Sequence, residues 1–367
     1  KALNKKRKKV IVIDKVNHHM FQPLFYQVAC GRIEPSNISF PFRKIFQRSR
    51  NIQFRMVEVQ KILPEQNKII TEDAEFTYDK LVIATGCKTN FFGNSKMQGL
   101  TYGMKNTQEA IAIRNNILLT FEKLIIEKRR SDDGNWNIVI VGSGPTGVEL
   151  AGAFAEMKKD ILPRDYPNMN FNDLQIILIS STEKPLNVMS KEAQEKSELY
   201  LKELGVHFMS GEFVTDYDGD QVTMKSGKTI KSNNVIWAAG VTGNVIEGLN
   251  PEIIVRNRYK TDRFNRVQGY KNIFAIGDIA YMETPKYPEA HPQVANVAIN
   301  QGTNLASNLL KNSENNWEEY EYKDQGSMAT IGKHRAVVDL PQFKFQGFLA
   351  WYFWMFLHLM LILSVRN

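Results

Sequence analysis

The stretch at residues 137–156, NIVIVGSGPTGVELAGAFAE, constrains the fold of this chain more strongly than its composition does. The β-branched residues 138–141 predict a buried strand, which runs directly into a glycine-rich turn and then a helical pattern. Gly142 permits the tight turn, Gly144 lets a pyrophosphate approach the backbone, and Gly147 lets the helix pack closely on the strand. The helix N-terminus then faces the phosphates. We predict a dinucleotide site here, and the alternative is a purely structural glycine turn.

The composition is that of a globular protein and does not indicate a nucleic-acid partner. The chain has 367 residues, of which 43% are hydrophobic and 23% charged, so it can hold two or three domains. Its net charge of +8 is spread along the chain apart from a basic run at residues 1–9. No aromatic residue is interleaved in that run, which favours a solvated helix end over a nucleic-acid contact.

The cysteines and histidines do not form a metal or dithiol motif. Cys30 and Cys87 lie far apart without a CxxC, which argues against a disulfide framework or a redox dithiol and favours a reducing compartment. His18 and His19 are adjacent, but no further ligand follows at metal-binding spacing. We therefore predict no metal site.

Two segments repeat one pattern, an apolar strand that closes on a small-residue turn. They are residues 81–86 (LVIATG) and 235–240 (VIWAAG), and they suggest two dinucleotide-binding domains, the second inserted in the first. Residues 10–14 predict a strand ending in Asp14, either a ribose-binding acid or a plain strand-end residue. A ribose-binding acid requires a phosphate-binding glycine loop before it, so we expect that loop upstream of Lys1 and interpret the chain as a fragment.

Several further elements follow from periodicity. Residues 52–70 alternate in the manner of a small antiparallel element, and helices are predicted at residues 106–128, 147–161 and 191–204. Another helix is predicted to open at Pro292 and to reach about Leu310. The strand at residues 175–179 should carry a ribose-binding acid at its end, but Ser180 stands there instead.

With these residues in view, the chain resembles the flavoprotein reductases with two dinucleotide-binding domains. Within them it is similar to type II NADH dehydrogenase, the single-subunit, non-proton-pumping NADH:quinone oxidoreductase. The superfamily resemblance rests on VIVGSGPTGVELAG, LVIATG, VIWAAG and NIFAIGD. The narrower resemblance rests on residues 17–29 (NHHMFQPLFYQVA), residues 291–295 (HPQVA), residues 326–332 (GSMATIG) and the aromatic tail.

The resemblance implies FAD and NADH as cofactors, with a hydride passing from NADH to the flavin and two electrons passing on to a membrane quinone. Asp278 would accept from the ribitol chain, and Glu149 would sit near the nicotinamide; alternatively, Glu149 is a first-turn acid favoured by the helix dipole. The residues implied for the flavin are Asp14, Asn17, Gln22, Ala84, Thr85, Gly86, Gly277, Asp278, Gln293, Val294 and Ala295. The residues implied for NADH are Gly142, Gly144, Pro145, Thr146, Gly147, Ser180 and Gly240.

The chain departs from the family pattern at both substrate sites. Ser180 replaces the usual acid and Lys184 is close in sequence, which leaves NADPH open as an alternative donor. The quinone motif that the resemblance implies normally carries two glutamines, but this chain has Asn296 and Asn300. Gln325 stands where many relatives have lysine, and Met328 completes the implied quinone-side set.

The apolar segment at residues 347–365 is predicted to bind a membrane surface. Its length permits a span, but His358 at mid-helix and the aromatics crowded in one half favour a monotopic helix. The resemblance thus implies a peripheral or monotopic protein on the cytoplasmic side of the inner (plasma) membrane, in contact with the lipid surface and assembled as a homodimer.

The predicted fold class is α/β, with two Rossmann-like domains and a C-terminal membrane-binding segment. The predicted divisions are a first part of the FAD-binding domain at residues 1–105, an NAD(P)H-binding domain at residues 106–244, the second part of the FAD-binding domain at residues 245–316, and a membrane-anchoring region at residues 317–367. The rival functions are a soluble reductase of the same fold acting on ferredoxin or peroxide, and a flavin-dependent redox sensor without turnover.

Overall fold

The computed structural model describes residues 8–127 and 134–366, with side chains described as far as residue 363. Most of the basic run at residues 1–9 and part of the polar break at residues 131–135 therefore lie outside the described residues. Helices and strands are mixed along the chain, and the predicted α/β fold class is confirmed.

The strands are β1 (Val10–Asp14), β2 (His18–Met20), β3 (Ser39–Pro41), β4 (Ile52–Met56), β5 (Val59–Leu63), β6 (Lys68–Thr71), β7 (Glu75–Thr77), β8 (Leu81–Ile83), β9 (Cys87–Thr89), β10 (Ile138–Val141), β11 (Ile176–Ile179), β12 (His207–Met209), β13 (Val214–Tyr217), β14 (Gln221–Met224), β15 (Thr229–Lys231), β16 (Asn234–Trp237), β17 (Val241–Gly243), β18 (Ile254–Val255), β19 (Arg258–Thr261), β20 (Ile273–Ala275), β21 (Ala280–Met282), β22 (Ser327–Thr330), β23 (Ala336–Asp339) and β24 (Lys344–Gln346). The α-helices are α1 (Phe25–Ala29), α2 (Phe42–Phe46), α3 (Ser95–Leu100), α4 (Thr107–Glu127), α5 (Pro145–Glu156), α6 (Leu162–Asp165), α7 (Lys191–Glu203), α8 (Ala295–Leu310) and α9 (Phe348–Arg366).

The chain divides into two compact units. The first unit comprises Lys1–His19, Phe40–Lys88 and Val241–Asp324. The second comprises Met20–Ser39, Thr89–Gly240 and Gln325–Asn367. The second unit therefore takes in the C-terminal segment and residues 20–39, whereas the predicted boundaries at residues 105, 244 and 316 stay predictions.

The first unit contains short parallel pairs and antiparallel ribbons. Strand β1 pairs with β4 in parallel, and β8 pairs with β20 in parallel. Strands β5, β6 and β7 form an antiparallel ribbon. A core of aliphatic residues with Tyr259 at its centre packs between these elements. The prediction of one antiparallel element at residues 52–70 is therefore wrong for β4, because an alternating pattern reports which face is buried and not the direction of the partner strand.

The second unit is built on a parallel sheet of order β12-β11-β10-β16. All four residues of β10, β11 and β16 are buried, as expected for strands covered on both faces. Helix α4 covers part of this sheet, and its bounds agree with the helix predicted at residues 106–128. Helix α7 is capped by Ser190, whose hydroxyl accepts from the Ala193 N–H, and it also begins and ends as predicted.

The C-terminal part of the second unit is a three-stranded antiparallel sheet followed by α9. Strand β23 is central between β22 and β24. Helix α9 buries Ala350 and Trp354 against the unit, while most of its other apolar side chains remain partly or largely exposed. Across the described residues, no helix combines the length and hydrophobicity needed to cross a membrane.

Candidate functional site

The glycine loop at residues 142–147 joins β10 to α5 in the predicted order of strand, turn and helix. Gly142 has φ +107°, a conformation that side chains disfavour, and a Cβ there would lie 2.6 Å from the Ala238 carbonyl oxygen. A Cβ on Gly147 would lie 1.8 Å from the Gly142 carbonyl oxygen. Glycine is therefore required at both positions by the protein's own packing.

Gly144 differs from its neighbours because a Cβ there would meet no protein atom within 4 Å. Its φ of −68° is open to any residue. Pro145 and Thr146 are exposed, and no side chain caps α5. The first N–H groups of the helix are thus left for solvent or a ligand, and the open space beside Gly144 suits the pyrophosphate of a dinucleotide.

Ser180 lies directly after β11 and is brought to the glycine loop. Its Oγ is 2.6 Å from Ser143 Oγ and 2.8 Å from Thr182 Oγ1. Both serines are buried. Lys184, in contrast, is paired through Nζ with Glu198 Oε2 at 2.6 Å, so its charge is already engaged. Gly240, with φ +142°, follows β16 at the neighbouring strand end.

Glu149 lies in the second turn of α5 and is partly buried. Burial raises the pKa of its carboxyl to about 8, and a backbone hydrogen bond at Thr330 lowers it in part. Its neighbours are Tyr26 on α1 and Thr330 on β22, whose side-chain oxygens lie 3.1 Å apart. Burial first and the Glu149 charge second raise the pKa of the Tyr26 phenol. Because the pKa of Glu149 is raised to about 8, its carboxyl is mainly protonated at neutral pH.

Tyr26 and Thr330 were not singled out from the sequence as site residues. Gln27 Nε2 also donates to Tyr26 Oη at 3.1 Å, so the phenol is held from two sides. Tyr26 and Thr330 lie within the segments on which the family resemblance rests, residues 17–29 and 326–332. Their place in those motifs was the sequence feature that could have identified them as site residues. Gln22, predicted in the flavin set, is an exposed residue at the start of a short 3-10 helix, Gln22–Leu24.

In the first unit, the small-residue turn after β8 is held by Asn244. Thr85 Oγ1 donates to the Asn244 carbonyl oxygen at 2.6 Å, and Asn244 Nδ2 donates to the Thr85 carbonyl oxygen at 2.9 Å. Gly86 has φ +64°, and Ala84 and Thr85 are exposed. The turn therefore presents backbone and small side chains to a ligand.

Asp278 lies in the same unit, in the short 3-10 helix Gly277–Ile279 that follows β20. Its Oδ2 is 2.9 Å from Cys87 Sγ, and its carbonyl oxygen accepts from Gln293 Nε2 at 2.9 Å. The carboxylate and the turn that carries Ala84 and Thr85 are thus brought together through Cys87, which follows Gly86 in the chain.

Helix α8 begins at Ala295, not at Pro292 as predicted. Val294 is extended, with φ −131° and ψ 152°, and the Gln293 side chain is turned to the Asp278 backbone. No side chain caps α8, so its first N–H groups are left for a ligand or solvent. Asn296 and Asn300 lie four residues apart on this helix, on one face and half-buried.

The remaining predicted residues lie in separate places. Asp14 ends β1, and its Oδ1 accepts from the Val16 N–H at 2.9 Å. Asn17 Oδ1 accepts from Arg43 Nη1 at 2.9 Å. Gln325 is exposed and Met328 is a half-buried residue of β22. The predicted quinone set is therefore divided, with its two asparagines in the first unit and Gln325 and Met328 in the second.

The second unit also contains a cavity of about 540 Å³ beside α9. Trp351, Trp354 and Met355 line one side, while Arg32 and Lys333 lie among its polar lining groups. A cavity with this lining suits an amphiphile, since apolar and charged groups both contact the space.

The residues of the two sites fit both cofactors that the resemblance implies, a nicotinamide dinucleotide and a flavin. For a dinucleotide, the open space at Gly144 lies at an uncapped helix N-terminus. For a flavin, the first unit offers the Asp278 carboxylate as a hydroxyl acceptor, the exposed turn at Ala84 and Thr85, and the uncapped start of α8.

Comparison with known proteins identifies a nucleotide-binding oxidoreductase region followed by a C-terminal domain. The pyridine nucleotide-disulphide oxidoreductase family matches residues 1–302, and the NDH2 C-terminal domain matches residues 325–367. The type II NADH:quinone oxidoreductase Ndh of Mycobacterium tuberculosis is 31% identical, over 97% of this chain and 80% of the relative.

Solved structures agree in fold. NDH2 from Plasmodium falciparum, solved in complex with NADH, superposes with a TM-score of 0.91 at 21% identity, covering 98% of this chain and 91% of that one. The sulfide:quinone oxidoreductase of Aquifex aeolicus superposes with a TM-score of 0.76 at 19% identity, covering 98% of this chain and 86% of that one.

Proposed function

Because this chain belongs to the pyridine nucleotide-disulphide oxidoreductases, and within them to the type II NADH:quinone oxidoreductases, we propose which of its residues carry out that reaction. We assign FAD as the flavin. When bound, FAD would supply the two-electron redox chemistry that links NADH to a quinone. The main support for the proposal is the open space at Gly144. This space lies at the uncapped N-terminus of α5, directly after the buried parallel strand β10.

The second unit binds and orients the nicotinamide nucleotide in this proposal. The backbone of residues 142–147 accepts the pyrophosphate, and the partial positive charge of the α5 N-terminus stabilises it. Ser180 stands where the family usually has an acid for the adenine-side ribose, and the lack of a carboxylate there leaves NADPH open as an alternative donor. Glu149 is protonated at neutral pH, so it offers the nicotinamide region a hydrogen-bond donor and no negative charge.

The first unit holds the flavin in this proposal. Asp278 would accept from a ribitol hydroxyl, and the turn at Ala84, Thr85 and Gly86 would contact the cofactor. The uncapped start of α8 would stabilise negative charge on a bound flavin ring. Asp14, Asn17, Gln22, Gln293, Val294 and Ala295 complete the proposed flavin set.

The quinone is proposed to enter from the lipid surface and to meet Asn296, Asn300, Gln325 and Met328. Support comes from α9, which leaves a continuous apolar stripe exposed; its members are Leu349, Tyr352, Phe353, Phe356, Leu359, Met360 and Leu363. This stripe follows helical spacing on the face opposite Ala350 and Trp354. The cavity beside α9 adds a space suited to an amphiphile.

We further propose that the protein binds the cytoplasmic face of the inner (plasma) membrane through this stripe and acts as a homodimer. A monotopic helix can bury one apolar face in the lipid surface while the other packs on the protein. The oligomeric state is checked by light scattering of the purified protein in detergent.

The function is tested by following the visible spectrum of the purified flavoprotein under anaerobic conditions. We expect NADH to bleach the flavin absorbance and a short-chain quinone to restore it. A flavin that NADH does not reduce would point to the redox-sensor alternative. Reoxidation by ferredoxin or peroxide but not by quinone would instead favour a soluble reductase of the same fold.

A further inference from the structure

The turn that carries Asp278 is fixed by two glutamine side chains. The Gly277 N–H donates to Gln301 Oε1 at 2.7 Å, and Gln301 is 1% exposed. Gln293 Nε2 donates to the Asp278 carbonyl oxygen at 2.9 Å. These bonds hold the backbone on both sides of the Asp278 Cα. The motion left to Asp278 is therefore rotation of its side chain, which turns the carboxylate.

Cys87 restricts that rotation. Its Sγ lies 2.9 Å from Asp278 Oδ2. A thiol is a weak donor and an ionised carboxylate is an acceptor only, so the S–H donates and Oδ2 accepts. Within residues 8–127 and 134–366, no donor is assigned to the second carboxylate oxygen, Oδ1, so this oxygen can accept from a ligand.

Cys87 is itself held in place by its neighbours in the chain. The Asn244 N–H donates to the Gly86 carbonyl oxygen at 3.0 Å, in addition to the two bonds between Asn244 and Thr85. Gly86 has φ +64°, which turns the chain immediately before Cys87. The thiol is thus presented from a hydrogen-bonded turn and not from a free loop.

We propose that Cys87 is a positioning residue for flavin binding. Its thiol donates to Asp278 Oδ2 and sets the carboxylate plane, so that Oδ1 accepts from a hydroxyl of the ribitol chain. This inference rests on the proposed role of Asp278. Cys87 has no part in electron transfer, since the thiol is used as a hydrogen-bond donor and undergoes no covalent change.

The test compares Cys87→Ala with Cys87→Ser by equilibrium flavin release from the diluted holoprotein, followed by flavin fluorescence. We expect Cys87→Ala to raise the flavin Kd about fivefold, the loss of one modest hydrogen bond. Serine retains a donor at the same place, so Cys87→Ser should stay within about twofold of the wild type. Equal weakening by both substitutions would overturn the proposal, because it would show a need for sulfur volume and not for a donor.

Cys30→Ala is the matched control, because Cys30 is the other thiol and its Sγ donates to the Gln27 carbonyl oxygen in the second unit. We expect this variant to keep the wild-type flavin Kd. If it loses flavin as much as Cys87→Ala does, the loss of either thiol explains the effect and the proposal fails.

A double-mutant cycle separates this inference from the proposed function. If Cys87 acts through Asp278, Cys87→Ala should add no further loss of flavin affinity in the Asp278→Ala background. An undiminished further loss would overturn the positioning role. A normal Kd in Asp278→Ala alone would instead remove the flavin role of Asp278, on which the inference depends. A weakened Asp278→Ala with an unaffected Cys87→Ala would overturn only the role of Cys87.

Discussion

The hydroxyl oxygens of Ser143 and Ser180 lie 2.6 Å apart, joining the glycine loop to the end of the neighbouring strand. Ser143 belongs to the loop that precedes α5, and Ser180 follows β11. The loop and the residue that follows β11 are therefore held together without a charged group. Under the proposed function, Ser180 is the position at which an added charge would act on the cofactor.

Ser180→Glu is expected to raise the preference for NADH over NADPH. A carboxylate at this position repels the 2′-phosphate of NADPH, and like-charge repulsion of this kind sets specificity. The measurement is the ratio of kcat/KM for the two donors. Ser181→Glu is the control, because it adds the same charge at the exposed neighbouring position. An unchanged ratio in Ser180→Glu would show that Ser180 is not at the ribose.

Gly144→Val and Gly147→Ala should fail in different ways. A Cβ at Gly144 would meet no protein atom within 4 Å, so the variant should fold, retain flavin and lose reduction by NADH. A Cβ on Gly147 would lie 1.8 Å from the Gly142 carbonyl oxygen, so that variant should lose about 3 kcal/mol of stability. Thermal unfolding and stopped-flow reduction distinguish the two. A destabilised Gly144→Val with normal NADH reduction would contradict the assignment.

Glu149 predicts a pH dependence of stability. Its pKa is about 8 in the folded protein against an ordinary value of 4.5. Between these values the unfolded chain has lost the proton while the folded protein keeps it, so the free energy of unfolding falls as pH rises from about 4.5 to about 8. Above and below that window, the contribution of Glu149 is constant.

Glu149→Gln should remove this part of the pH dependence. We expect the variant to gain stability relative to the wild type as pH rises through the window, with no relative change above it. Urea unfolding at a series of pH values measures the difference. Parallel curves for the two proteins would show that the carboxyl is ionised normally in the folded state.

Glu156 at the end of α5 predicts a large loss of stability when it is neutralised. Its buried carboxylate accepts from the Arg32 guanidinium and from the Lys333 N–H. Glu156→Gln removes the counter-charge of Arg32 and should cost about 3 kcal/mol. Glu203→Gln is the control, because Glu203 pairs with Arg335 at 3.1 Å in a more exposed setting, and it should cost less than about 1 kcal/mol. Equal losses of unfolding free energy would contradict this ranking.

The exposed stripe of α9 predicts binding to a lipid surface. Tyr352→Lys combined with Phe356→Lys should weaken binding to zwitterionic phospholipid vesicles by at least about tenfold, since both exposed aromatics would lose apolar burial. Val188→Lys is the control, an 81% exposed apolar residue outside α9. Unchanged vesicle binding in the double variant would remove the membrane role of the stripe. Deleting α9 is a poorer test, because Trp354 is buried in the unit.

The glycine loop and its flanking elements could be predicted from the sequence because their causes are local. The β-branched run that becomes β10 lies in the same short stretch as Gly147, where an added Cβ would clash with the Gly142 carbonyl oxygen. The bounds of α4 and α7 follow in the same way from apolar spacing and, for α7, from the Ser190 cap. The family resemblance likewise rests on contiguous motifs.

Only the tertiary structure decided which distant residues meet. Cys87 reaches Asp278 across 191 positions of the chain, and Tyr26 reaches Thr330 across 304. The parallel direction of β1 and β4 and the start of α8 at Ala295 also depend on such contacts, through strand pairing and the Gln293 bond to Asp278. The sequence by itself determined β10, α4, α7 and the glycine loop. Burial raised the pKa of Glu149, and long-range hydrogen bonds set the orientation of Asp278. The physical reason is that a local pattern fixes backbone conformation, but the environment of a charge depends on every element packed around it.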